Sequence, residues 1–228
     1  MASRPRRLLS EFLGALLLTA VVVGSGIAAQ HLSPRDIGLE LTENAFATAL
    51  GLFAIIAALA PISGAHLNPV ISLVDAALGR RGWLDATSYI PAQVAGCIVG
   101  AILANLMFGR AAVSISTTDR LTPGHFLGEI VATTGLILMV FLLARTNHRP
   151  VAIAAAVGAY IGSAYLFTSS SSFANPAITI GRMFSESFAG IAPSSVLGLI
   201  GAQLIGGAVG LGLVRLLTGS GRTPTLAP

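Results

Sequence analysis

Two dipeptides, Asn68-Pro69 and Asn175-Pro176, pair the residues best suited to begin a helix. Asparagine is a strong N-cap, and proline is favoured at the first helical position, where no N–H is needed. The residues ahead of each box are small or polar, Ser63-Gly64-Ala65-His66 in one case and Ser169-Ser170-Ser171-Ser172 in the other. Non-helical backbone there exposes carbonyl groups, and each helix start carries roughly half a positive charge. If the two starts face one point, the centre between them repels cations and protons and offers the Asn68 and Asn175 amides as donors. The carbonyls of Ser63, Gly64, Ala65 and His66 on one side, and of Ser170, Ser171 and Ser172 on the other, supply acceptors. That chemistry suits a passive path for uncharged, hydrogen-bonding molecules.

The elements that hold these boxes are apolar. Of the 228 residues 54% are hydrophobic and only 10% charged, against about 25% charge in a soluble domain. So few charges cannot cover a soluble surface, and the composition points to a lipid bilayer. Thirteen arginines and nine acids give a formal charge of +4. The arginines are scattered between apolar runs and form no basic stripe for nucleic acid. The single Cys97 excludes an internal disulfide and any CxxC motif; it reads as a small thiol in a packed helix.

Apolar stretches long enough to span ~30 Å of hydrocarbon fall at about 8–30, 42–61, 86–108, 125–144, 150–168 and 190–217. Segments 64–79 and 173–185 are too short to cross and read as re-entrant half-helices. Arg4, Arg6 and Arg7 ahead of the first span suggest a signal peptide, but Glu11 inside the run argues for an uncleaved span. With six spans, Arg4, Arg6, Arg7, Arg80, Arg81, Arg145, Arg149, Arg215 and Arg222 share one side, and Arg35, Arg110, Arg120 and Arg182 the other. The richer side is expected to be cytoplasmic, with both termini inside.

The chain is written twice. Glu11 opens the first span and Glu129 the fourth; Leu67-Asn68-Pro69-Val70-Ile71-Ser72-Leu73 matches Ala174-Asn175-Pro176-Ala177-Ile178-Thr179-Ile180; Pro91-Ala92-Gln93 matches Gly201-Ala202-Gln203. Each half, about 8–108 and 125–217, has three spans and one half-helix. Three is odd, so the halves are inverted about an axis in the membrane plane, forming one domain over 1–228. Glu11 and Glu129 are intramembrane carboxylates, and their mirrored placement reads as bracing for the backbone N–H groups of the re-entrant loops. His66 is expected to pack its ring near the cytoplasmic vestibule, with only its carbonyl in the pore. Asp75 ends its half-helix at the interface, where a charge is cheap.

The stretches Ser63–Pro69 and Phe173–Ala177 resemble the paired Asn-Pro-Ala boxes of the aquaporin and aquaglyceroporin (major intrinsic protein) family, over about residues 8–217. The resemblance implies an all-α membrane protein, an inverted repeat of six transmembrane helices plus two half-helices, with Asn68, Pro69, Val70, Asn175, Pro176 and Ala177 at the pore centre. It also implies a homotetramer with one pore per subunit. No enzymatic activity, metal or cofactor is expected. The first box departs from the pattern at Val70. The family's constriction arginine is replaced by Ile178. Carried over without gaps, the remaining constriction positions are Thr48, Ser163 and Ser172. Such a ring, without a bulky aromatic or a cation, looks wide enough for water, glycerol-sized polyols and neutral metalloid hydroxides such as arsenite. The run Phe188–Pro193 is similar to bacterial members associated with arsenic resistance. Arg182, one turn beyond Ile178, is either an interfacial cation that snorkels or pairs with Glu186, or a partial substitute for the missing arginine at the outer mouth.

Three other readings compete: a water-selective pore, a coupled secondary transporter, and an intramembrane enzyme. No metal, triad or P-loop motif supports the last. The all-arginine basic set points to a GC-rich prokaryote and so to its plasma (inner) membrane.

Overall fold

The computed structural model of the protein describes residues 2–145 and 149–219; Arg222, counted above among the cytoplasmic cations, lies outside them. The described residues form α1 (Arg4–Leu32), α2 (Ile37–Ser63), α3 (Pro69–Ala77), α4 (Trp83–Met107), α5 (Pro123–Arg145), α6 (Pro150–Phe167), α7 (Pro176–Gly181) and α8 (Pro193–Thr218), with a 3₁₀ turn at Arg182–Phe184 after α7. α3, α5, α6, α7 and α8 each begin on proline, which is pre-set for the first helical turn. α2 starts five residues ahead of its apolar run because the Asp36 carboxylate accepts the Leu39 N–H at 2.9 Å, adding a capped turn that hydropathy does not register.

All helices but α3 and α7 are long and apolar enough to cross a membrane. The start of α1 lies beside that of α4, where Arg4 Nη2 donates to Leu84 O at 3.1 Å. The end of α8 lies beside that of α3, where Arg215 Nη2 donates to Ala77 O at 2.8 Å. These ends define a terminal face, and the opposite one is the distal face. α3 enters from the terminal face and α7 from the distal face, so the two halves are inverted copies.

Helix pairs repeat as well. α1 packs on α4 as α5 packs on α8. The pairs close on glycine: a Cβ at Gly96 would stand 2.3 Å from Phe12 O, and one at Gly206 2.6 Å from Ile130 O. Only a residue without a side chain lets two backbones approach so closely in lipid. α2 and α6 pack on each other and bridge these pairs through α1 and α5, while α3 and α7 lie against α4 and α8 and touch each other.

Candidate pore

The backbone leading into each half-helix is held in an unusual shape. Gly64, Ala65 and Leu67 have φ of 94°, 47° and 52°, and Ser171, Ser172 and Ala174 have φ of 55°, 47° and 45°. A left-handed conformation costs a non-glycine residue about 1–2 kcal/mol, so something must enforce it. The buried carboxylates do. Glu11 Oε1 accepts the His66 N–H (3.0 Å) and the Ser63 hydroxyl (2.6 Å), and Oε2 accepts the Leu67 N–H (2.7 Å) and Gln93 Nε2 (2.8 Å). Glu129 repeats the pattern with Phe173 N (2.8 Å), Ser170 Oγ (2.6 Å), Ala174 N (2.8 Å) and Gln203 Nε2 (2.6 Å). Successive N–H groups turned to one side form a nest for an anion, here a side-chain carboxylate. Their carbonyls are thereby turned the other way.

Asn68 and Asn175 each do two jobs. The Oδ1 atoms cap α3 and α7, accepting Val70 N at 2.9 Å and Ala177 N at 3.0 Å. The Nδ2 atoms strap the halves together, Asn68 to Ala174 O and Asn175 to Leu67 O, each at 2.7 Å. An amide carries two N–H groups, so each asparagine keeps a second donor. Both line a cavity of about 270 Å³ that extends to Arg80, Arg81 and Pro150 at the terminal side and to Tyr165 and Arg182 at the other. Pro69, Val70, Pro176 and Ala177 stand behind the wall as buried helix starts. The extra bulk of Val70 fits against α8, where a Cβ at Gly207 would lie 2.4 Å from Val70 Cγ1.

Several expected lining residues move. Gly64, Ala65, His66 and Ser172 do line the cavity, together with Phe173, but Ser63, Ser170 and Ser171 do not. The Ser63 carbonyl is already occupied by the Tyr89 hydroxyl and Arg81 Nη2, both at 2.9 Å. The Ser170 carbonyl accepts the Ser171 hydroxyl at 2.6 Å. What Ser63 and Ser170 contribute is their side chains: each donates to its glutamate and accepts the N–H two residues on, Ala65 at 3.0 Å and Ser172 at 3.2 Å.

Ser163 is also displaced. It lies on the exposed face of α6 and donates to Tyr160 O at 2.8 Å, while Tyr165 lines the cavity with its hydroxyl 3.3 Å from Thr48 Oγ1. A slip of two residues turns a helix by about 200°, to its opposite side. Thr48, Tyr165, Ser172 and Ile178 line the cavity and Ser163 does not, so the wall carries an aromatic where none was expected.

Charge differs between the two ends. Toward the terminal face Asp75, 7% exposed, meets His66 Nε2 at 3.3 Å, Arg80 Nε at 3.2 Å and Arg81 Nε at 3.3 Å. The His66 ring packs between Ser72, Asp75 and Tyr89 on the terminal side of the cavity. Asp75 is a buried junction, where an interfacial charge was expected. Toward the distal face Arg182 is 2% exposed and forms part of the cavity wall. It neither snorkels nor pairs with Glu186, whose Oε2 accepts Thr117 N at 2.5 Å. Among the described residues no cluster of three or more His, Cys, Asp or Glu side chains could hold a metal ion.

The family model described as "Major intrinsic protein" matches residues 2–169. The chain belongs to the major intrinsic protein family. It is 43% identical over 212 residues to aquaglyceroporin AqpS of Rhizobium meliloti (strain 1021), covering 93% of this chain and 90% of that one. It is 32% identical over 198 residues to aquaporin C of Dictyostelium discoideum, covering 80% and 71%. Its fold matches the X-ray structure of the aquaglyceroporin from Plasmodium falciparum with a TM-score of 0.74 at 22% identity, over 94% of this chain and all of that one. Aquaglyceroporins of this family are channels, not enzymes, and this major intrinsic protein is a multi-pass membrane protein.

Within this major intrinsic protein, four bracing residues went unassigned in the sequence. Gln93 Nε2 donates to Ser72 Oγ at 3.1 Å, and Gln203 Nε2 to Thr179 Oγ1 at 2.9 Å. Those hydroxyls bond back to Asn68 O (3.2 Å) and Asn175 O (2.8 Å). All four sit inside the repeated motifs quoted above. Their recurrence at matched spacing was the available signal, and it served only to align the halves.

Proposed function

We propose that the protein passes small uncharged molecules bearing hydroxyl groups, namely glycerol-sized polyols and neutral metalloid hydroxides such as arsenite, together with water, and excludes ions and protons. The observation that carries this reading is the mixed cavity wall, in which the Asn68 and Asn175 amides stand among hydrocarbon from Leu18, Val22, Leu52, Ile56, Val157 and Ile161. A polyol carries both hydroxyl and C–H groups, and a wall that offers partners to both lets it shed water without losing hydrogen bonds. The name aquaglyceroporin borne by the 43% identical relative supports the same solute class. Two half-helix N-termini at the centre, with both carboxylates turned to backbone donors, support a passive path over a proton-coupled one.

Tyr165 favours a second reading, a water-selective pore, because an aromatic beside Thr48 narrows the ring. Light scattering on proteoliposomes separates them. Under a glycerol gradient, vesicles carrying the protein are expected to re-swell well above empty vesicles, and arsenite uptake to rise with it. Fast water flux with glycerol and arsenite at the empty-vesicle rate would leave only the water-selective reading. We further propose a homotetramer in a prokaryotic plasma membrane with the terminal face inside. Among the described residues Arg4, Arg6, Arg7, Arg80, Arg81, Arg145, Arg149 and Arg215 lie toward that face, against Arg35, Arg110, Arg120 and Arg182 toward the other, which supports the orientation.

A further inference from the structure

We propose that Arg182 is the charge-selecting residue of the distal mouth, and that its guanidinium and the Ser172 hydroxyl form a donor pair that a passing solute must satisfy. The inference deepens the pore reading and rests on it. Arg182 lies in the cavity wall one turn after Ile178, and among the described residues no carboxylate stands within ion-pair distance of it, Glu129 acting on it only from further away. Nε donates to the Ala189 carbonyl, the guanidinium carbon sits 3.6 Å from the Phe173 ring centroid, and Nη1 is buried without an acceptor. No carboxylate pairs with it among the described residues. Ser172 Oγ, in the same wall, is likewise buried without a partner.

A buried guanidinium is normally met by an acid. Here the aromatic face and one carbonyl hold it in place and leave its charge in force. Its field acts on the lumen, where little water screens it. Two buried polar groups left unmatched cost stability unless a solute with acceptor oxygens meets them. Gly26 and Phe173 are positioning residues. A Cβ at Gly26 would stand 3.0 Å from Ala189 Cβ, so glycine on α1 lets the Ala189 loop close over Arg182.

The test is thiol chemistry, which needs no solute flux and so fails separately from the pore reading. In full-length protein in liposomes carrying Cys97→Ser and Ile178→Cys, the introduced thiol is treated with a neutral methanethiosulfonate, its trimethylammonium-ethyl analogue and its sulfonatoethyl analogue. Rates are divided by those of a small free thiol. The expected order is anionic, then neutral, then cationic. Arg182→Gln should raise the cationic-to-neutral ratio about tenfold, as expected for removal of one poorly screened charge nearby; Arg182→Lys, which keeps the charge, should stay within about threefold of the parent. A ratio indifferent to Arg182→Gln overturns the proposal, as does a thiol inert to the neutral reagent. Should the glutamine variant fail to fold, the order in the Arg182 parent decides, and a flat or reversed order overturns it.

Discussion

The two half-helices share their centre and differ at their far ends. Around Asn68 and Asn175 the glutamate, serine, glutamine and hydroxyl partners recur position for position, with lengths that agree within about 0.4 Å. Beyond α3 the cations Arg80 and Arg81 are tied to Asp75; beyond α7 the cation Arg182 stands on an aromatic ring without an acid. A fully satisfied buried network tolerates little change, because each member lost strands several donors or acceptors. The ends lie nearer water and can diverge after duplication. Selectivity of a two-fold scaffold is therefore expected where the symmetry is broken.

The strongest way to break the comparison is at its shared core. Glu11→Gln and Glu129→Gln each turn one oxygen of a four-donor acceptor into a donor and should cost about 4 kcal/mol apiece. Unfolding of the purified protein in detergent should show the two losses agreeing; a large inequality would mean that the two braces are not equivalent. A smaller effect comes from making the ends alike. Asp75→Asn removes the acid that Arg80 and Arg81 share and that faces His66 Nε2, and should cost about 2 kcal/mol. It should also slow cationic thiol reagents entering from the terminal side, leaving those entering from the distal side unaffected.

The smallest effect is one of pH, on the distal side. In the loop between α4 and α5 the Asp119 carboxylate accepts the Leu121 N–H at 3.0 Å and the Ser195 hydroxyl at 2.5 Å. The backbone donor first, and then the serine, hold its pKa below the ordinary 3.8. This clasp is at full strength above that value and is lost as pH falls through the lowered folded-state pKa. Limited proteolysis should cut residues 109–122 faster near pH 3 than at pH 5, with little change in Asp119→Asn.

How much of this was legible followed from what repeats. Asn-Pro, the paired glutamates and the odd number of spans per half fix the inverted fold, because each carries its own local mechanism: a cap, a buried acceptor, a parity. Ser163 was misplaced because a family position carried over without gaps ignores the two-residue difference that rotates α6. The sequence points to the carbonyls of Ser63 and Ser170, since hydroxyl direction depends on a left-handed backbone that serine does not announce. Asp75 and Arg182 looked like interfacial charges by depth alone. Their partners come from Arg80, Arg81, Phe173 and Ala189, and a linear pattern does not show which of these fold back.

The straps at the pore centre also bear on how the chain is made. The Asn68 amide reaches a carbonyl 106 positions later, and Leu67 receives its donor from 108 positions later. Until α7 has left the ribosome and entered the bilayer, the tip of the first half holds polar groups that lipid cannot satisfy. Neither repeat can finish its own interior, so insertion closes last at the midplane, and a chain arrested after α4 is an open half without its keystone.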